Sequence, residues 1–105
     1  MTTGANIIGF TTSKKSESTF QGVTASGTSA DFHPATHSEI DAAMQKASEA
    51  FQLYRNFTGE HKAIFLRAIA DEIEALGETL IETAMNESGL PEGRIIGERG
   101  RTCGR

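Results

Sequence analysis

Tryptophan is absent from this 105-residue chain, and one tyrosine with six phenylalanines brings the aromatic share to only 7%. Any core must therefore be aliphatic, with a few Phe anchors. A single cysteine excludes a disulfide framework and a zinc site built on thiolates. No apolar run approaches the roughly 18 residues needed to cross a bilayer, and the N-terminus lacks the apolar segment of a signal peptide. No arginine precedes Arg55, which argues against a transit peptide despite the Ser-rich start. Together these absences imply a cytoplasmic chain without a membrane partner. The length gives room for one small domain, whose folding hides roughly two-thirds of the unfolded surface and leaves a modest core.

The net charge of −4 conceals a division along the chain. Lys14 and Lys15 balance Glu17 and Asp31 in residues 1–35. Residues 36–90 hold ten acids against four bases, a balance of −6, and residues 91–105 hold four arginines against two glutamates, a balance of +2. A duplex-binding protein needs a basic face that releases counterions, so the acidic middle argues against nucleic acid. Only the short basic end, with Arg94, Arg99, Arg101 and Arg105, offers a starting point for binding phosphate.

Residues 1–35 read as a polar arm. Twelve of the first thirty residues are Ser or Thr, too little apolar material to offset chain entropy unaided. Two β-prone pieces, 6–10 and 18–24, are expected to pair as a ribbon, with 11–17 as the loop between them. From Thr36 the pattern becomes helical. Thr36 and Glu39 fit a capping box, and Ile40, Ala43, Met44, Ala47, Phe51 and Tyr54 form one apolar stripe. Thr58 is the expected cap of a second helix whose stripe includes Leu66, Ile69, Ile73 and Leu76. Gly77 should interrupt it, Gly89 should end a third helix bearing Leu80, Ile81, Ala84 and Met85, and Pro91 should open a fourth. Gly93, Gly97, Gly100 and Gly104 are expected along one side of that last helix. The fold class is thus mostly α, three to four amphipathic helices after a short N-terminal β-hairpin or arm.

Few residues offer chemistry. Cys103 is a potential nucleophile with Arg101 and Arg105 beside it, but no base is evident, and a small half-apolar helix residue accounts for it better. His33, His37 and His61 suggest a metal cluster, yet Pro34 breaks the four-residue spacing of the first two, and no carboxylate completes the set. Asp71, Glu72, Glu74, Glu78 and Glu82 recur at helical spacing and are expected on a solvated face opposite Ile69, Ile73, Leu76 and Leu80. The run Gly97-Glu98-Arg99-Gly100-Arg101 matches neither a phosphate loop nor a dinucleotide fingerprint. Local chemistry alone describes a helical piece with no catalytic, cofactor-binding or metal-ligating residue.

Residues 36–105 resemble the N-terminal part of the aldehyde dehydrogenase superfamily. One helix runs Asp41-Ala42-Ala43-Met44-Gln45-Lys46-Ala47-Ser48-Glu49-Ala50-Phe51 and a second Lys62-Ala63-Ile64-Phe65-Leu66-Arg67-Ala68-Ile69-Ala70-Asp71-Glu72-Ile73. The third ends Asn86-Glu87-Ser88-Gly89-Leu90-Pro91, with Ser where the family usually has Thr. The stretch from Ser88 to Gly104 narrows the likeness to the branch that oxidises 2,5-dioxovalerate (α-ketoglutaric semialdehyde). Arg105 departs from that branch, which has Gln there and continues.

This resemblance implies a fragment of the α/β aldehyde dehydrogenase fold. Residues 36–105 would be outer helices of an incomplete cofactor-binding domain, with the strands of 1–35 before them. It implies NAD or NADP as cofactor of the full-length family, a thiohemiacetal on a cysteine, and hydride transfer to nicotinamide. It also implies a homo-oligomer, and the rest of the dehydrogenase subunit as this chain's partner. No family catalytic residue maps onto this sequence, since Cys103 lacks the Gly-Gln pair that precedes the family's nucleophile. The chain alone is expected to be inactive and to bind no cofactor. Two other readings compete: a stand-alone helical interaction module whose stripes close on each other, and an arginine-rich tail that binds RNA.

Overall fold

The computed structural model describes residues 3–104. Its elements run β1 (Asn6–Ile8), β2 (Thr11–Ser13), β3 (Val23–Thr24), β4 (Gly27–Thr28), α1 (His37–Tyr54), α2 (Gly59–Ala75), α3 (Gly77–Ser88) and α4 (Glu92–Thr102). The expected class, mostly helical after a short N-terminal strand pair, is the observed one. The chain divides into two compact units, one holding the residues up to Gly22 with Ser29–Phe57, the other Val23–Thr28 with the residues from Thr58 onward.

In the first unit the strand pairing differs from expectation. β1 pairs antiparallel with β2, Asn6 opposite Ser13 and Ile8 opposite Thr11, so the segment read as a loop supplies the second strand. The two-residue turn explains this. Gly9 has a φ of 62° and Phe10 does not follow it into positive φ, the pattern of a type II′ turn, whose twist suits a tight hairpin. Phe20, from the second β-prone piece, instead exchanges backbone hydrogen bonds with Phe32, at 2.9 and 2.8 Å, and the two rings stack 5.8 Å apart. Gly4 lies so close to the Asp31 carbonyl that a Cβ there would sit 1.8 Å from its oxygen, a contact no other residue could tolerate. Its own carbonyl accepts the His33 amide at 3.0 Å, and the Asn6 side-chain amide donates to the His33 carbonyl at 3.1 Å.

Helix α1 begins as the sequence predicts. The Thr36 hydroxyl accepts the Glu39 amide at 3.3 Å, and Glu39 Oε1 accepts the Thr36 amide at 3.1 Å, closing the capping box. Gln45 donates to Glu49 along its outer surface. At the C-terminal end the Arg55 guanidinium lies 5.2 Å from the centre of the Phe51 ring. Beyond Glu39 the helix buries almost nothing: Ile40, Met44, Phe51 and Leu53 are all exposed.

The second unit holds β3, β4 and the other three helices. Thr58 caps α2 by accepting the His61 amide at 3.1 Å. Leu76 ends α2 and precedes α3, and Gly77, at φ 56°, provides the expected break. Gly89 closes α3 in the left-handed conformation, and Pro91 stands at the N-cap of α4, both as expected. α4 lies against α3 and α2, and α3 also carries the β3–β4 hairpin. Ile81 on α3, 1% exposed, is the one fully buried apolar side chain among the described residues. Leu80, Ala84 and Met85 around it are half-buried.

Candidate functional site

The residues singled out for chemistry do not converge. Cys103 follows α4 and its Sγ donates to the Ala70 carbonyl of α2 at 3.6 Å, so the thiol ties two helices together. His33 is held in the N-terminal unit, its Nδ1 3.2 Å from the Ser16 carbonyl. That oxygen can only accept, so Nδ1 carries the hydrogen. His37 opens α1 and is exposed, while His61 lies in the first turn of α2. Among the described residues no three His, Cys, Asp or Glu side chains gather closely enough to hold a metal ion.

Asp71, Glu72, Glu78 and Glu82 are exposed as expected and Glu74 is half-buried, but the run does not lie wholly opposite the apolar stripe. Glu72 stands three residues after Ile69 and four before Leu76, which places it on their face of α2. It lines an open groove of about 440 Å³ with Phe65, Ala68, Ile69, Ile73 and Leu76. Glu74 and Glu78 face a second cleft of about 380 Å³, with Gly77, Ile96, Arg99 and Gly100 as its other walls. Gly100 thus lines that cleft, and as α4 is one continuous helix it lies on the same side as Gly93 and Gly97, as expected. Around Gly93 and Gly97 an added Cβ would meet nothing within 4 Å.

The arginines at the basic end are largely spoken for. Arg94 and Arg101 bracket Glu98, at 3.1 and 2.7 Å, and hold its carboxyl below the ordinary value, the Arg101 hydrogen bond contributing most. Arg99 donates to the Gly77 carbonyl at 3.4 Å. Arg105 lies outside the described residues. Arg94, Arg99 and Arg101 thus each make at least one hydrogen bond within the second unit.

Two residues matter more than the sequence suggests. Glu39 was legible as a cap, yet it is also the one fully buried charged side chain among the described residues, 1% exposed. Its Oε1 accepts both the amide and the hydroxyl of Thr36, at 3.1 and 3.0 Å. Oε2 is buried with no partner in hydrogen-bond geometry. The Ser13 hydroxyl, then the Thr36 amide, with a smaller share from the Lys15 amide, hold the carboxyl down at about 2 despite the opposing effect of burial. Asn86 is the other. Its carbonyl accepts the Ala25 amide at 2.8 Å and its Oδ1 accepts the Ser26 amide at 3.0 Å, so one residue of α3 grips the β3–β4 turn. It opens the Asn86-to-Pro91 stretch, but nothing local announces this role, because the partner lies 60 residues away in sequence.

A nicotinamide dinucleotide rests on a glycine-rich turn that leads from a parallel strand into a helix N-terminus. Among the described residues the sheets are two antiparallel pairs, and no strand leads directly into a helix. These residues do not fit that group. No helix among them is long and apolar enough to cross a membrane.

Comparison with known proteins gives the site its context. A model described as "Aldehyde dehydrogenase family" matches residues 10–103. Alpha-ketoglutaric semialdehyde dehydrogenase 2 of Azospirillum brasilense is 49% identical over 73 residues, 70% of this chain. Alpha-ketoglutaric semialdehyde dehydrogenase of Acinetobacter baylyi (strain ATCC 33305 / BD413 / ADP1) is 47% identical over 73 residues, again 70% of this chain. The matched stretch spans only 14% of the length of each of these relatives.

Proposed function

The chain belongs to the aldehyde dehydrogenase family, and from that premise we propose that it serves as the N-terminal portion of an NAD(P)-dependent dehydrogenase subunit. The whole subunit oxidises an aldehyde to its carboxylate, and the substrate is 2,5-dioxovalerate (α-ketoglutaric semialdehyde), the aldehyde in the names of both relatives. In this reading residues 1–35 are the arm that precedes the cofactor-binding domain. Residues 36–105 are outer helices of that domain, and the active protein is a cytoplasmic homo-oligomer. Cys103 takes no part in the chemistry, and neither nucleic acid nor membrane is a partner.

One observation carries the proposal. The apolar stripes that should bury α1 and α2 stand in the open: Met44 is 67% exposed, Leu66 59% and Leu76 55%, while among the described residues Ile81 is the one fully buried apolar side chain. Burying each such side chain is worth roughly 1.5–3 kcal/mol, so helices that leave them exposed forgo most of what could stabilise them. Stripes of this kind are surfaces shaped for a further layer. The remainder of the subunit is the layer the family supplies. The same exposure weighs against a stand-alone module, which would need those stripes closed.

The reading is tested by transplantation. This chain, replacing the matching stretch of the Azospirillum brasilense relative, should yield a folded chimera that reduces NAD(P) with 2,5-dioxovalerate. A folded chimera with no turnover would refute the proposal. The purified chain by itself should produce no NAD(P)H from that aldehyde; turnover above a blank would contradict its assignment as a non-catalytic portion. Slow amide exchange across residues 40–85 of the isolated chain would favour the interaction module instead.

A further inference from the structure

We draw no further inference here: the strongest candidate, the open apolar groove on α2 lined by Phe65, Ile69, Glu72, Ile73 and Leu76, carries nothing beyond the proposed function because nothing in the structure shows what covers it.

Discussion

Helices α1 and α3 are stabilised by opposite means. α1 is 18 residues long, opens on a complete capping box, and lies exposed from Ile40 through Leu53. α3 is 12 residues long, has no side-chain hydrogen bond at its N-terminus, and contains the buried Ile81. One helix is specified locally and lacks a core; the other has a poor start and owns the core. An isolated helix of either length is marginal in water, and tertiary packing of an apolar face normally decides whether it persists. The contrast teaches that start signals and burial are separate sources of order. A chain can be rich in the first while most of the second waits on other surfaces.

The sharpest way to break that comparison is to remove the packing of α3. Ile81→Ala should cost about 2–5 kcal/mol, the range for truncating a fully buried Ile. In a domain with so small a core this is enough to abolish a cooperative urea transition. Amide exchange should accelerate through α3 and α4, which pack together. Met44→Ala on α1 is the matched control: at 67% exposure the side chain has little packing to lose. Its effect should stay within about 0.5 kcal/mol, as for ordinary surface substitutions. Equal losses from the two substitutions would mean that α1 has a covered face after all.

The capping of α1 is next in size. Thr36→Ala removes the hydroxyl that accepts the Glu39 amide and should cost about 1 kcal/mol, seen as faster exchange over the first turn of α1. Glu39 adds a pH dependence to the same feature. Its folded value, about 2, lies below the unfolded 4.5, so its stabilising effect is fully present above pH 4.5. It is lost as pH falls from about 4.5 through 2. Thermal melts across that window should show a steeper acid loss in the parent than in Glu39→Gln, which has no carboxylate to protonate. Parallel curves would remove Glu39 from the account of acid stability.

How much was legible follows from the same distinction. Thr36, Thr58, Gly77, Gly89 and Pro91 all mark the boundaries their types predict, because capping is settled within a few residues of chain. The strand pairing was misread because Thr11-Thr12-Ser13 has no apolar alternation to announce a strand, and the deciding signal was the backbone at Gly9. Glu72 was misassigned by composition: it is charged, and its position in the helical repeat, not its charge, sets its face. Asn86 could not be found from sequence, since a latch across 60 residues leaves no local trace. The contact of the Cys103 thiol with the Ala70 carbonyl, 33 residues away in sequence, was likewise beyond local reading.

Asn86 supplies a smaller test, one that probes α3 from its outer side. Asn86→Ala deletes the acceptor for the Ser26 amide but keeps the backbone carbonyl that takes the Ala25 amide. A net loss of about 0.5–1.5 kcal/mol is the usual worth of one such bond, and the low end is expected because the Ser26 contact is exposed. Faster exchange of the Ser26 amide, with Ile81 and its neighbours unchanged, would show that the latch orders the hairpin without supporting the core. The weakest effect should come from Arg101→Ala. Its 2.7 Å contact with Glu98 is the shorter of the two ion pairs, yet Arg101 is 81% exposed and Arg94 still reaches the same carboxylate. Exposed pairs of this kind are screened by salt and spend side-chain entropy to form. The melting temperature should not move at physiological ionic strength, while the Glu98 carboxyl should titrate closer to its ordinary value by NMR. A clear drop in melting temperature would place the stability of α4 in its charged outer face and not in the helices beneath it.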